Sequence, residues 1–170
     1  MTISYLDVLS KYYPSVHAHA HGSDYSELHW DEGGPIAQNE LEAKMIDIAK
    51  EKKVEELSFA CEQDIIGCFE SSALGEPHLY DSEEVDQINL VGAIAAISPM
   101  AGTPDGFAIY YACRHISTGE KSYEQHTYMQ LRGVLQDGSM FKLGKLQQFH
   151  MKRAMVEACQ SIAEVEAITW

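Results

Sequence analysis

Residues Asp81 to Ile97 read DSEEVDQINLVGAIAAI, and the conformation of this stretch decides the fold class. After Asn89 it is apolar on nearly every side, so its pattern alone fits a buried helix or a buried strand. The start of the stretch settles the choice. Asp81 followed by Glu84 has the spacing of a capping box, with Asp in the place of the usual Ser or Thr. A helix is therefore expected, flanked by two loops, SSALGEPHLY before it and SPMAGTPDG after it.

Downstream, FAIYYAC at residues 107–113 is the best strand in the chain, rich in aromatic and β-branched side chains. HISTGEKSY follows as a turn with Gly119 at its tip. HTYMQLRGVLQDG reads as a helix ended by Gly138, because glycine is the commonest helix terminator. KLGKLQQFHMKRAMVEAC then places Leu143, Leu146, Phe149, Ala154 and Val156 in a second helical pattern. SIAEVEAITW carries a capping box from Ser161 to Glu164 and ends in Trp170, an apolar terminus expected to be docked.

Upstream, a helix begins near Gln38, with Glu40 and Glu42 at its positive dipole end. Leu41, Met45 and Ile48 start its apolar stripe, and Leu57, Cys61, Ile65 and Cys68 continue it. Unbroken to residue 69, it would measure about 48 Å at about 1.5 Å per residue. Ser4 to Tyr12 reads as a short helix stopping before Pro14. DYSELHW has mixed strand character, and DEGGP at residues 31–35 is a clear break. The fold expected is mainly α with a small β element, of the α+β class. In that arrangement residues 1–35 form an N-terminal docking segment, 36–70 a long connecting helix, and 71–170 a helical domain.

The 170 residues suit one domain with an appended N-terminal module. Apolar residues make up 45% and charged residues 22%, enough to bury a core without disulfides or metal. No apolar run approaches the roughly 20 residues that span a bilayer, and the first 14 residues lack the pattern of a secretory signal. Cys61, Cys68, Cys113 and Cys159 form no CxxC pair and no zinc-finger spacing, as expected of free thiols. The net charge of −14 argues against nucleic acid, since 12 Lys and Arg face 26 acids. The imbalance is local. Asp31 to Asp86 holds 16 acids and 4 bases, whereas Lys121 to Arg153 holds 6 bases and 2 acids. The acidic half is either a solvated face or a surface for a basic partner, including a neighbouring copy.

An ordered set of short motifs runs through the chain. It comprises Ser71 to Gly75, His78 to Tyr80, Asp86 to Leu90, Cys113-Arg114, His126-Thr127 with Gln130, and Ala167 to Trp170. Upstream lie Tyr25, Leu28 and Trp30, then Pro35 followed by Asn39-Glu40-Leu41. In order and spacing, over about residues 20–170, this pattern resembles an uncharacterised domain family of tailed-bacteriophage tail-fibre and tail-accessory proteins. The resemblance implies virion structural or assembly machinery and carries over no catalytic residues. Residues 71–170 would be the tail-fibre-type domain. The partners implied are other phage tail or neck proteins, with no nucleic acid and no membrane. The location implied is the virion, with the host cytoplasm during assembly. Members are often fused to fibre shafts, so a free-standing chain fits either a virion component or a chaperone that leaves.

Candidate sites are few. His17, His19 and His21 alternate in HAHAHG and would share one side of an extended strand. Neutral imidazole suits Zn, Ni, Cu or Fe, yet HExxH is absent and no fourth ligand lies at a recognised spacing. Three readings stay open for these histidines: an exposed metal-free loop, an intersubunit transition metal on a threefold axis, or a catalytic metal. His78, Tyr80, His126, Thr127 and Gln130 read as a buried polar network, and a Cys113–His126 nucleophile pair is the enzymatic alternative. Tyr25, Trp30 and Trp170 are the candidate interface anchors. Without a phosphate loop or GxSxG, the expectation is a homo-oligomeric virion protein of the tail that is not an enzyme. A tail-fibre assembly chaperone is the alternative, and a metal-dependent hydrolase comes third.

Overall fold

The computed structural model describes residues 3–104 and 106–170. The elements follow in the order α1 (Tyr5–Tyr12), β1 (His17–Ala20), β2 (Leu28–Glu32), α2 (Gln38–Ile66), β3 (Cys68–Ser71), β4 (His78–Asp81), α3 (Glu84–Ala96), β5 (Ala108–His115), β6 (Lys121–Thr127), α4 (Tyr128–Ala158) and α5 (Ile162–Glu166). Among the described residues no helix is long and apolar enough to cross a membrane. The chain divides into two compact units, one running to Phe59 and including His150–Trp170, the other spanning Ala60–Phe149.

The first unit starts with a capped helix. Ser4 Oγ accepts from the Asp7 N–H at 3.2 Å, and Asp7 accepts from the Ser4 N–H at 2.7 Å. That reciprocal pair satisfies two of the orphan donors of α1. β1 and β2 pair antiparallel. The core holds Val8, Leu9, Leu28, Leu41, Ile48 and Leu57, together with Val156, Val165 and Ile168 from the other end of the chain. Lys50 Nζ donates to the Glu157 carbonyl at 2.9 Å, tying α2 to α4 within this unit.

The second unit is built on a four-stranded antiparallel sheet in the order β3-β4-β5-β6. Its inner face carries Phe69, Tyr80, Ile109, Tyr111 and Cys113. These pack with Leu90, Ala93, Ile94 and Ile97 of α3 and with Leu131, Val134, Leu135 and Phe141 of α4. Thr127 and Gln130 start α4 as a capping box, with the Thr127 N–H donating to Gln130 Oε1 at 2.8 Å and the Gln130 N–H to Thr127 Oγ1 at 3.3 Å.

Two expectations are overturned here. The β part is not one small element beside a mainly helical fold, since among the described residues six strands form two antiparallel sheets alongside the helices. β3 and β4 are four residues each, too short to show a period. β6 hides because its inward positions are Ser122, Glu124 and His126, polar residues that erase the alternation. Nor does a short N-terminal module precede a long helix and a helical domain. The N-terminal elements share their core with Val156, Val165 and Ile168, and α2 gives buried residues to both units, Leu57 to the first and Cys61 to the second.

Two smaller corrections follow. The helix expected to stop at Gly138 runs on to Ala158. A Cβ on Gly138 would lie 2.7–3.1 Å from three ring atoms of Phe69, so the glycine marks a close approach rather than an end. The cap of α3 is also displaced. The Glu83 N–H donates to Asp86 at 3.2 Å, while Asp81 turns to Arg114 and Lys121.

Candidate functional site

The β1–β2 hairpin separates an aromatic side from a histidine side. Trp30 is half-buried, with its indole against Gly34. Tyr25 lies 6.3 Å from the Trp30 ring and 5.7 Å from Tyr5, and its hydroxyl donates to the Ile36 carbonyl at 2.6 Å. These two aromatics therefore brace the hairpin inside its unit. Trp170 is half-buried, close to the buried Ile168.

On the other side, all the histidines are exposed. The register pairs His19 with His29 but slips between His17 and Ala18, so His17 faces Glu32. The ring centres of His19, His21 and His29 lie 5.5, 5.2 and 5.0 Å apart, taken as His19–His21, His19–His29 and His21–His29. His19 Nδ1 also lies 3.0 Å from Asp31 Oδ2. Two members of the sequence trio thus come together, His17 is replaced by His29, and Asp31 joins them. His29 was missed because it lies eight residues beyond His21, and only the strand register makes them neighbours. As the rings stand, no group of three or more His, Cys, Asp or Glu among the described residues is arranged to hold a metal ion.

Inside the second unit, the polar network closes on itself. His126 Nδ1 lies 2.8 Å from the Glu124 carbonyl, which can only accept, so this nitrogen carries the proton. Nε2 then accepts from the Tyr80 hydroxyl at 2.8 Å. Burial holds His126 below the ordinary histidine range and drives the Tyr80 phenol up, while Tyr111 is pushed up to about 12. Both His126 nitrogens are occupied and none is left for Cys113, whose Sγ lies 3.7 Å from Ser122 Oγ. Burial raises the Cys113 thiol, which disfavours the thiolate a nucleophile needs. His78 donates to the Glu76 carbonyl at 3.0 Å, and Thr127 with Gln130 caps α4 rather than joining the Tyr80–His126 pair.

On the outer face of the sheet, Asp81 accepts from Arg114 Nε at 2.8 Å and from Lys121 Nζ at 2.9 Å. The Arg114 guanidinium, helped by Lys121, holds the Asp81 carboxyl well below the usual carboxylate range.

The largest departure from an ordinary surface is apolar. Helix α3 buries Leu90 and packs Ala93 and Ile94 inward, yet leaves Val85, Ile88 and Val91 exposed at 65%, 64% and 54%. Beside it, Val91, Leu90, Leu135, Gly138, Ser139 and Lys142 line a groove of about 130 Å³. Met129, Met140 and Leu143 of α4 are exposed too. Val85, Ile88 and Val91 recur every three residues along α3, and exposed apolar groups that adjoin in this way mark contact surfaces more often than isolated ones do. No family model, no curated protein and no solved structure matches this chain.

Proposed function

We propose that this chain is a structural protein of a bacteriophage tail. It connects or decorates fibre, baseplate or collar through protein–protein contacts, and it does so as a homo-oligomer. It resides in the virion, after assembly in the host cytoplasm. The observation carrying the contact role is α3. A helix apolar on nearly every side belongs in an interior. Here one side packs on the sheet and the other leaves Val85, Ile88 and Val91 in water. The motif order from Ser71 to Trp170 supports the tail setting, as a resemblance.

The contact role is tested by light scattering coupled to gel filtration on the wild type and on Val85→Ser/Ile88→Glu. Both positions are exposed, so the double variant should keep its stability within about 1 kcal/mol. It is expected to lose self-association that the wild type shows. A wild type that stays monomeric at its highest soluble concentration refutes the homo-oligomer. The tail setting is tested by mass spectrometry of purified virions, where absence of the chain refutes a structural role.

A second reading, a tail-fibre assembly chaperone, is favoured by the exposed Met129 and Met140 of α4. Flexible thioethers adapt to changing partners. Fibres that trimerise normally without this chain refute it.

A further inference from the structure

We propose that His19, His21 and His29 form a zinc-class metal site within a single chain, on the histidine side of the β1–β2 hairpin. This differs from a site shared between subunits and does not rest on the tail reading. The argument is metrical. Imidazole nitrogens bind Zn²⁺ at about 2.0–2.1 Å, in a tetrahedral arrangement. Each ring centre then lies about 3.2 Å from the metal, and two centres at the tetrahedral angle lie about 5.2 Å apart. The three separations on the hairpin are 5.5, 5.2 and 5.0 Å. The three rings thus stand at a spacing compatible with a common metal.

What differs from a coordinated site is orientation. His19 and His29 are stacked at 17°, while His21 stands at 82° and 68° to them. Turning the rings involves the terminal sp³–sp² torsion of histidine, which is broad. All three side chains are exposed, so no core packing opposes the rotation. Asp31 supplies the supporting contact. Its carboxylate lies 3.0 Å from His19 Nδ1, which assigns the proton there and leaves Nε2 for the metal. A carboxylate behind a ligating histidine fixes its tautomer and raises its basicity. Three imidazoles leave the fourth position of a tetrahedral ion open. Strand pairing supplies the geometry: His19 and His21 are two apart on β1 and face one way, and His29 is the direct partner of His19 on β2.

The test is titration calorimetry of the full chain, free of any histidine tag, with Zn²⁺ alone, and with Mg²⁺ as the hard-cation control. One Zn²⁺ per chain is expected, and no saturable Mg²⁺ heat. His21→Ala and His29→Ala should each weaken binding at least about tenfold, and Asp31→Asn about 10- to 100-fold. His17→Ala should bind as the wild type does. Every altered position is on the surface, and circular dichroism checks each variant's fold. The proposal is overturned by an absence of saturable Zn²⁺ binding, or by one metal per two or more chains. Unchanged affinity in His29→Ala, or an equal loss in His17→Ala, overturns it as well.

Discussion

Gly138→Ala and Gly144→Ala exchange the same atoms on the same helix and should move stability in opposite directions. Both glycines lie inside α4. Alanine in a helix interior is favoured over glycine by about 1 kcal/mol. At Gly144 a Cβ would meet nothing within 4 Å, so that gain should be realised in full. At Gly138 the Cβ would sit 2.7, 3.0 and 3.1 Å from Cζ, Cε1 and Cε2 of Phe69. Carbon atoms are at rest at roughly 3.5–4.0 Å, so the ring must retreat by about 1 Å. Phe69 is only 5% exposed and stacks between Tyr80 at 5.8 Å and Phe141 at 6.3 Å, which leaves it little room. Overpacking of this kind costs about 1–3 kcal/mol. After the propensity gain, Gly138→Ala should be destabilised by about 1 kcal/mol. For a chain of this size each kcal/mol moves the Tm by about 2–4 °C. Thermal melts followed by circular dichroism should therefore show Gly144→Ala raised and Gly138→Ala lowered by about that much. Combining Gly138→Ala with Phe69→Leu should return part of the propensity gain. A Gly138→Ala protein as stabilised as Gly144→Ala would refute the assignment of this glycine to a close approach.

Two further outcomes follow from the second unit. Tyr80→Phe removes the hydroxyl that donates to His126 Nε2, and the buried nitrogen left unpaired should cost about 1–3 kcal/mol in a urea titration; no loss would mean that water or another group takes over. Asp81→Asn should cost about 1–2 kcal/mol at pH 7, more than a fully exposed ion pair, because the neutral amide offers Arg114 and Lys121 one accepting oxygen in place of two and no charge. The folded Asp81 carboxyl is held low, so its contribution is complete above the ordinary carboxylate value of about 3.9 and is lost as the pH falls through the lowered folded value. Denaturation of wild type and variant should therefore differ constantly from pH 7 to about 4 and converge below it; a gap that persists undiminished to the acid limit would refute the assignment.

Elements whose signals lie within a few consecutive residues were legible. The helix read from Ser4 to Tyr12 is α1, the helix from Gln38 runs to Ile66, FAIYYAC lies in β5 apart from Phe107, and Gly119 turns the β5–β6 hairpin with φ 69°. The same local logic misread Gly138, because glycine as a helix stop and glycine as a space for a neighbouring ring look identical in one dimension. It also misread Asp81, which has the spacing of a cap but reaches across the sheet to Arg114. The candidate site was half legible. The alternation of His19 and His21 is visible in the chain, but His29 and Asp31 become their neighbours only through antiparallel register.

The amino-acid order alone determined the charge, the apolar excess of α3, and the segments whose capping and periodicity are short-range. Tertiary structure alone decided that Lys121 to Thr127 is a strand, since its buried face is polar and its pairing with β5 supplies the reason. It alone decided that Val156, Val165 and Ile168 complete a core begun near Val8. The physical reason is one of range. A cap or a helical stripe is settled by atoms within a turn or two, whereas a sheet register or a shared core is settled by residues tens of positions apart, whose mutual fit no local pattern records.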